Sequence, residues 1–426
     1  MTTPHPQQSR TSRPAVARPT GTPLYGPGVD GSTLPALYER LRAEHGPIAP
    51  VLIAPGIPAW LVLGFAEMLQ VTRGEEDFSH DPRNWRLLRE DRVPADSPIM
   101  PMVGYRPALL YADGRRHRRM RAAVTTALVQ VNGHALRRTV RDTAERLIGA
   151  FADLGRADLV PHYARKLPLQ VVIQLLGLDE RSGQQLVQAA VGTAAANADS
   201  ANASGRLTDI LTGLIEARRA DPRDDFISTL VRHPAGLTDD EIVHNLVVVF
   251  VAANQPTVDW IATTLRILLT DPALGTSVAG GRLTVDDALD QALWRHPPVQ
   301  NYPARYAVRD LEFGGQLIRG GDMLLLGLAA ANADPSVRPP DGCPVTGNRS
   351  HLAFGAGPHA CPAQDLARLI TRTAVDTLLH RLPDLELAVP ESELSWITSP
   401  WAPSLAALPV RLSPLAPPRP GRRARR

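Results

Sequence analysis

The chain has 426 residues, 44% of them hydrophobic, a formal charge of +3 and two cysteines. That length suits one large domain or a few small ones, two cysteines exclude a disulfide framework, and no run of about 18 apolar residues marks a membrane span. The positive balance comes from the tail arginines Arg419, Arg422, Arg423, Arg425 and Arg426, without which the remainder is −2, so the charge is not read as nucleic-acid binding.

Residues 1–30 are rich in Pro, Thr, Ser and Gln with no apolar face and are expected to be disordered, as is the Pro/Arg tail at 414–426. No basic-then-apolar leader opens the chain, which points to a cytoplasmic protein. Residues 34–44 read as the first helix, with Ser32 or Thr33 as its cap. Residues 51–53 and 59–63 read as strands around a Pro-Gly turn. The stretch 77–113, polar and broken by prolines and glycines, is expected to be a long loop region. His117 and Arg121 stand four apart in a basic run and so share one helix face; by itself that run reads as a solvated helix. Residues 133–220 carry helical patterns interrupted by Pro161 and Pro168, with a flexible connection at 194–204. Asp224 and Asp225 open another helix.

Asp239–Thr270 predicts a long central helix, apolar nearly all round from Leu246 to Ala253. Inside it, Pro256 lacks an N–H and its ring meets the carbonyl of Ala252, which predicts a kink costing about 3 kcal/mol unless the surroundings use the bend. Residues 283–295 form a helix capped by Thr284. Strands follow at 301–307 and 323–328, with a hairpin about Gly314 and Gly315 between them and closing strands at 385–389 and 408–412.

One stretch carries chemistry: Phe354-Gly355-x-Gly357-x-His359-x-Cys361, followed by Leu366, Ile370, Ala374 and Leu378 at helical spacing. The glycines permit backbone turns and close approach to a flat ligand. Pro362 fits a first-turn position, so Cys361 is expected at a helix N-terminus, where unpaired N–H groups and the dipole favour thiolate. A thiolate so held suits a haem iron. A buried structural cysteine remains open, as does a zinc site with Cys343, although no C-x-x-C spacing exists.

This loop, with the Leu366-Ala367-Arg368 that follows, resembles the haem-binding loop of the cytochrome P450 family; Ala363 stands where that family usually has glycine. The resemblance runs from about residue 34 to about 412 and implies one haem domain over 31–413 with the P450 fold, mainly α with small β-sheets (α+β). It implies haem b, with Cys361 as the metal ligand and Phe354, Gly355 and Ala363 beside it. It implies His117, Arg121, Arg305 and His359 on the propionates, since buried carboxylates need charged or hydrogen-bonding partners. Ala252, Ala253, Asn254, Gln255, Pro256 and Thr257 would line the oxygen side. Asn84, Trp85, Met102, Val103, Val249, Asn301, Tyr302, Thr398 and Trp401 would line the substrate pocket, the last two from a turn at 396–401.

Two departures stand out. Gln255 and Pro256 occupy the places of the family's acid and threonine, which relay protons to bound oxygen. Thr257, Asn254, an ordered water or the substrate would then supply protons, or the oxidant is used for hydrogen abstraction and radical coupling. The family's Glu-x-x-Arg pair aligns with Gln291 and Trp294, so that ion pair is absent or replaced by a neutral Gln–Trp contact. The resemblance therefore implies an oxidoreductase acting on a small molecule of secondary metabolism, with oxidative coupling of aromatic side chains in a short peptide or cyclic dipeptide as the first reading. A conventional hydroxylase or epoxidase of a terpenoid, steroid or polyketide is the alternative, and a catalytically silent haem protein the second. O2 and a separate ferredoxin with its reductase are the implied partners, steered by Arg115, Arg116, Arg118 and Arg119; a monomer touching neither membrane nor nucleic acid is expected.

Overall fold

A computed structural model describes residues 21–26, 28–178, 180–194, 200–337 and 347–412. Cys343, positions 195–199 of the expected flexible connection, most of the N-terminal segment and the Pro/Arg tail lie outside them. The helices are α1 (Leu34–His45), α2 (Phe65–Arg73), α3 (Arg86–Arg89), α4 (Met100–Val103), α5 (Gly114–Val129), α6 (Gly133–Gly149), α7 (Lys166–Leu175), α8 (Glu180–Ala194), α9 (Ser200–Ala220), α10 (Phe226–Arg232), α11 (Asp239–Thr270), α12 (Pro272–Ala279), α13 (Val285–Arg295), α14 (Leu328–Asn332) and α15 (Gln364–Arg381). The strands are β1 (Thr22–Pro23), β2 (Ile48–Ala54), β3 (Ile57–Val62), β4 (Phe78–Ser79), β5 (Arg156–Asp158), β6 (Asn301–Ala307), β7 (Leu311–Phe313), β8 (Gln316–Ile318), β9 (Met323–Gly327), β10 (Glu386–Leu387), β11 (Trp396–Ile397), β12 (Ser404–Leu405) and β13 (Pro409–Arg411). The mainly helical class with small sheets is borne out.

The largest sheet runs β1-β2-β3-β9-β6-β4. β2 and β3 pair antiparallel as a hairpin, and β3 then runs parallel to β9, setting the start of the chain beside its later half. The smaller sheets are β10-β13-β5, β11-β12 and β7-β8. α11 is the axis of the helical part. A capping box starts it: the Thr238 hydroxyl accepts from the Glu241 N–H at 3.2 Å, and the Glu241 carboxylate accepts from the Thr238 N–H at 3.1 Å. Its C-terminal half packs Ile261, Leu265 and Leu268 into the main core with Val140 of α6, Leu289 of α13 and Ala374 of α15. By length and composition α11 is apolar enough to cross a membrane; its packing against these helices makes it a core helix instead.

Several expectations are corrected. Thr22 and Pro23 pair with Val51 and Leu52, so the expected disorder of 1–30 does not extend to its last residues. Thr33 stands at the cap of α1, but its hydroxyl bonds Gly28 and Asp30 and leaves the helix uncapped by side chain. The loop at 77–113 is broken up by β4, α3 and α4. Pro168 does not interrupt a helix, because it falls in the first turn of α7, where a missing N–H costs nothing. β5 had no periodic signal because it is short and only Ala157 in it is buried. In α11, Val251 and Ala252 are exposed although the pattern there is apolar all round, while Phe250 and Ala253 on either side pack in a core cluster. α11 continues through Pro256 as one helix.

Candidate functional site

The cysteine loop hangs between α14 and α15. The Asn332 side chain ties its start, accepting from the Leu352 N–H at 2.7 Å and donating to the Leu293 carbonyl at 3.0 Å. Gly355 and Gly357 both take φ of 69°, in the left-handed region. At Gly357 a second reason adds to the first: a Cβ there would lie 2.2 Å from the carbonyl oxygen of Thr72 on α2. The Cys361 N–H then donates back to the Phe354 carbonyl at 2.9 Å, closing the loop. Phe354 meets Trp260 of α11 edge to face at 5.7 Å, which fixes the loop against the central helix.

Pro362 is not in the helix. α15 begins at Gln364 with Ala363 as its cap, so Cys361 sits just before the helix. The expected preference for thiolate is also not an intrinsic property of this site. Burial pushes the Cys361 thiol up, and the Ala363 N–H and the Arg121 guanidinium only partly offset it. The anion therefore needs a cation, as a metal ligand has. Arg121 lies close enough to donate to the Ala360 carbonyl at 2.5 Å.

Beside the loop is a buried cluster of imidazoles. His359 is sandwiched between His80, at 3.3 Å between ring centroids, and His117, at 3.7 Å. Both ring nitrogens of His117 and His359, Nε2 of His80 and Nε of Arg305 are buried without a hydrogen-bond partner. Asp113 is committed to His80, accepting from its N–H and lying 2.9 Å from Nδ1. Glu75 brings its carboxylate within 4.8 Å of His117 and His359. Burial, with Arg121 and other cations nearby, holds His117 down at about 4, and burial lowers Arg305 to about 10. His359 is lowered further by burial and by the facing His80 and Arg305. So many buried, unpartnered donors in one place fit a ligand that carries carboxylates. His80 was not found from sequence, because nothing in a single Ser-His-Asp after a short strand reveals that it folds onto His359.

Met102, Val103 and Tyr302 share one small cavity with His80, Tyr111 and Arg305, so expected pocket and cofactor residues do meet. Val249 is half-buried on α11, Trp401 half-buried, and Asn84 and Thr398 exposed. Two expected pocket residues are spoken for. Trp85 is 1% exposed and packs in the core against Tyr306. Asn301 is fully buried, accepting from Tyr38 at 3.0 Å and donating to the Pro400 carbonyl at 2.9 Å. The expected turn at 396–401 is the tip of the β11–β12 hairpin, and the Trp401 carbonyl accepts from the N–H groups of Gln300 and Asn301.

On α11 the Thr257 hydroxyl donates to the Ala253 carbonyl at 2.8 Å, and Oδ1 of Asn254 is buried without a partner. The Gln255 amide donates to Asp259. The expected Gln291–Trp294 replacement is corrected. Trp294 donates its indole N–H to the Asn348 carbonyl at 2.8 Å. No Glu-x-x-Arg pair forms within α13; instead Asp290, 1% exposed, bonds Arg368 of α15 and Arg349 of the segment before the cysteine loop.

No family model matches the chain. Among curated proteins it is 32% identical over 414 residues to the cytochrome P450 monooxygenase PikC of Streptomyces venezuelae, covering 94% of this chain and 97% of that one. Among solved structures it resembles CYP154C4 from Streptomyces sp. W2061, with TM-score 0.82 and 28% identity over 92% of this chain and 97% of that one. It also resembles CxnD, a cytochrome P450 enzyme for C–S bond formation in chuangxinmycin biosynthesis, with TM-score 0.80 and 26% identity over 94% of this chain and all of that one.

Proposed function

This chain belongs to the cytochrome P450 family, an oxidoreductase that binds haem b through a cysteine thiolate, and from that premise we propose that it couples aromatic side chains of a short peptide or cyclic dipeptide in secondary metabolism. The observation that carries the coupling reading is Gln255-Pro256 on α11, the first exposed and the second half-buried, where neither side chain is an acid or an alcohol. The likeness to a bond-forming P450 supports it. A second reading, hydroxylation or epoxidation of a terpenoid, steroid or polyketide, is supported by the likeness to a monooxygenase.

When bound, the haem supplies oxygen activation with electrons delivered by a separate ferredoxin and its reductase. Cys361 holds it by sulfur, with Gly355, Gly357 and Ala363 shaping the loop and Phe354 shielding the sulfur. His117, Arg121, Arg305 and His359 take its carboxylates. Met102, Val103, Val249, Tyr302 and Trp401 bound the substrate and exclude water, with Asn84 and Thr398 at the rim. Ala252 and Ala253 leave room for oxygen.

The test loads the chain with haem b, reduces it and adds carbon monoxide. The thiolate-type absorption is expected in the unmutated protein and lost in Cys361→Ala. Turnover of aromatic cyclic dipeptides with ferredoxin and reductase should give products short of two hydrogens. Products with one added oxygen support the second reading, and a thiolate spectrum without turnover of any class leaves a silent haem protein.

A further inference from the structure

Asp259 is an acid in the central helix that none of the roles above uses. It lies one turn beyond Gln255 on the same face of α11, and the two are separated by an abrupt change in exposure. Gln255 is exposed, whereas Asp259 is buried, at 6% exposed. The Gln255 amide nitrogen bridges that boundary, 3.1 Å and 3.2 Å from the two carboxylate oxygens. From the elements packed on this side, Ser404 of β12, whose hydroxyl donates to the Ala402 carbonyl at 3.3 Å, and Arg165, in the turn before α7, both act on Asp259 to favour its charged form. The neighbouring polar groups of α11 are poorly placed to supply protons: Pro256 has no hydroxyl, and the Thr257 hydroxyl is committed to the Ala253 carbonyl.

We propose that Asp259 is the proton store for the oxygen side of this site, with the Gln255 amide as the movable group that covers it. When Gln255 swings aside, the Asp259 carboxylic acid gives one proton to a water on the exposed side of Gln255 and is left as a carboxylate. The amide then donates to that carboxylate, as in this structure, and a solvent proton restores the acid. No electrons move in this step. The proposal rests on the oxidase reading, since it is O2 reduction that consumes the protons. Independent support comes from burial, which raises the Asp259 carboxyl to about 7 against the smaller lowering by Ser404, Gln255 and Arg165, poising it between its two forms near neutral pH.

The test compares the full haem-loaded chain with Asp259→Asn. Infrared spectra should show a carboxylic-acid band that fades as pH rises through about 7 and is missing from Asp259→Asn. With ferredoxin and reductase supplying electrons, the fraction of consumed oxygen recovered as hydrogen peroxide should rise about tenfold in Asp259→Asn below neutral pH and lose its pH dependence, a loss well inside the range of general-acid effects. Gln255→Leu, which removes the amide from the carboxylate, should move the band's midpoint to higher pH. An infrared band unchanged in Asp259→Asn, a peroxide fraction and pH profile equal to the unmutated protein's, or an unmoved midpoint in Gln255→Leu overturns the proposal. These readouts are taken in proteins that keep the thiolate-type carbon monoxide absorption; its absence from the unmutated protein overturns the oxidase reading instead.

Discussion

The carboxylate of Asp290 on α13 grips the guanidinium of Arg368 on α15, so the helix leaving the cysteine loop is fixed to the core by a charge pair. Asp290 is 1% exposed and also holds Arg349 at 3.3 Å. Removing Asp290 takes away the buried partner of Arg368 and leaves it the longer contact to Asp286 at 3.4 Å. Asp290→Ala should cost about 3–5 kcal/mol in denaturant-induced unfolding, whereas Asp290→Asn, which still accepts hydrogen bonds, should cost less. Equal midpoints for the two variants would show that hydrogen bonding adds nothing to the charge, and an unchanged midpoint in Asp290→Asn would show that the pair does not act through charge.

The two loop glycines should respond differently to alanine. Both have φ of 69°, which costs an L-residue about 1–2 kcal/mol. At Gly357 the added methyl also meets the Thr72 carbonyl, whereas at Gly355 the nearest atom, the Ala360 Cα, is 4.0 Å away. Gly357→Ala should therefore lose most of its haem on gel filtration, and Gly355→Ala should keep most of it.

Arg305 gives a prediction of opposite signs. It is 2% exposed, burial lowers it to about 10, and its Nε has no partner. Arg305→Met should raise the melting temperature of haem-free protein by relieving that burial. The same change should weaken haem retention by about 1.5–3 kcal/mol, the worth of a hydrogen bond to a charged group. Transfer of haem to an excess of apomyoglobin measures the second effect.

The fourth prediction concerns pH. Asp259 has its folded-state value raised from 3.8 to about 7 by burial. The unfolded chain ionises first, so between about pH 4 and about pH 7 the native state binds more protons and stability falls as pH rises. The full effect at alkaline pH is on the order of 4 kcal/mol. Asp259→Asn should flatten the melting-temperature profile across that window and gain stability chiefly above it.

What could be read from the sequence was local. The cysteine loop announced itself because positive-φ glycines, a lone cysteine and a following helical pattern sit within one short stretch. α11 was legible to its last residue because acidic residues open it and Asp271 with Pro272 closes it. The pieces that were not legible are brought together only by folding. Asp290 finds Arg349 and Arg368 across long separations in the chain, so a fixed-spacing comparison with Gln291 and Trp294 looked in the wrong place. Asp259 belongs to no motif in the sequence, and its burial comes only with the packing of other elements against α11. Trp85 carried the composition of a pocket residue but fills the core, since aromatic side chains serve both uses alike.

The stacked imidazoles of His80, His117 and His359 have a consequence for how the protein matures. Both ring nitrogens of His117 and His359 and Nε2 of His80 are buried without a partner in the chain, so the haem-free polypeptide is the less stable partner of a linked equilibrium. A molecule bound by the native form alone draws the population toward that form by mass action, by about 2.7 kcal/mol at a hundred times its dissociation constant. The yield of folded protein from cells should accordingly track how much porphyrin they make, and feeding a porphyrin precursor during expression should recover chains otherwise lost to proteolysis.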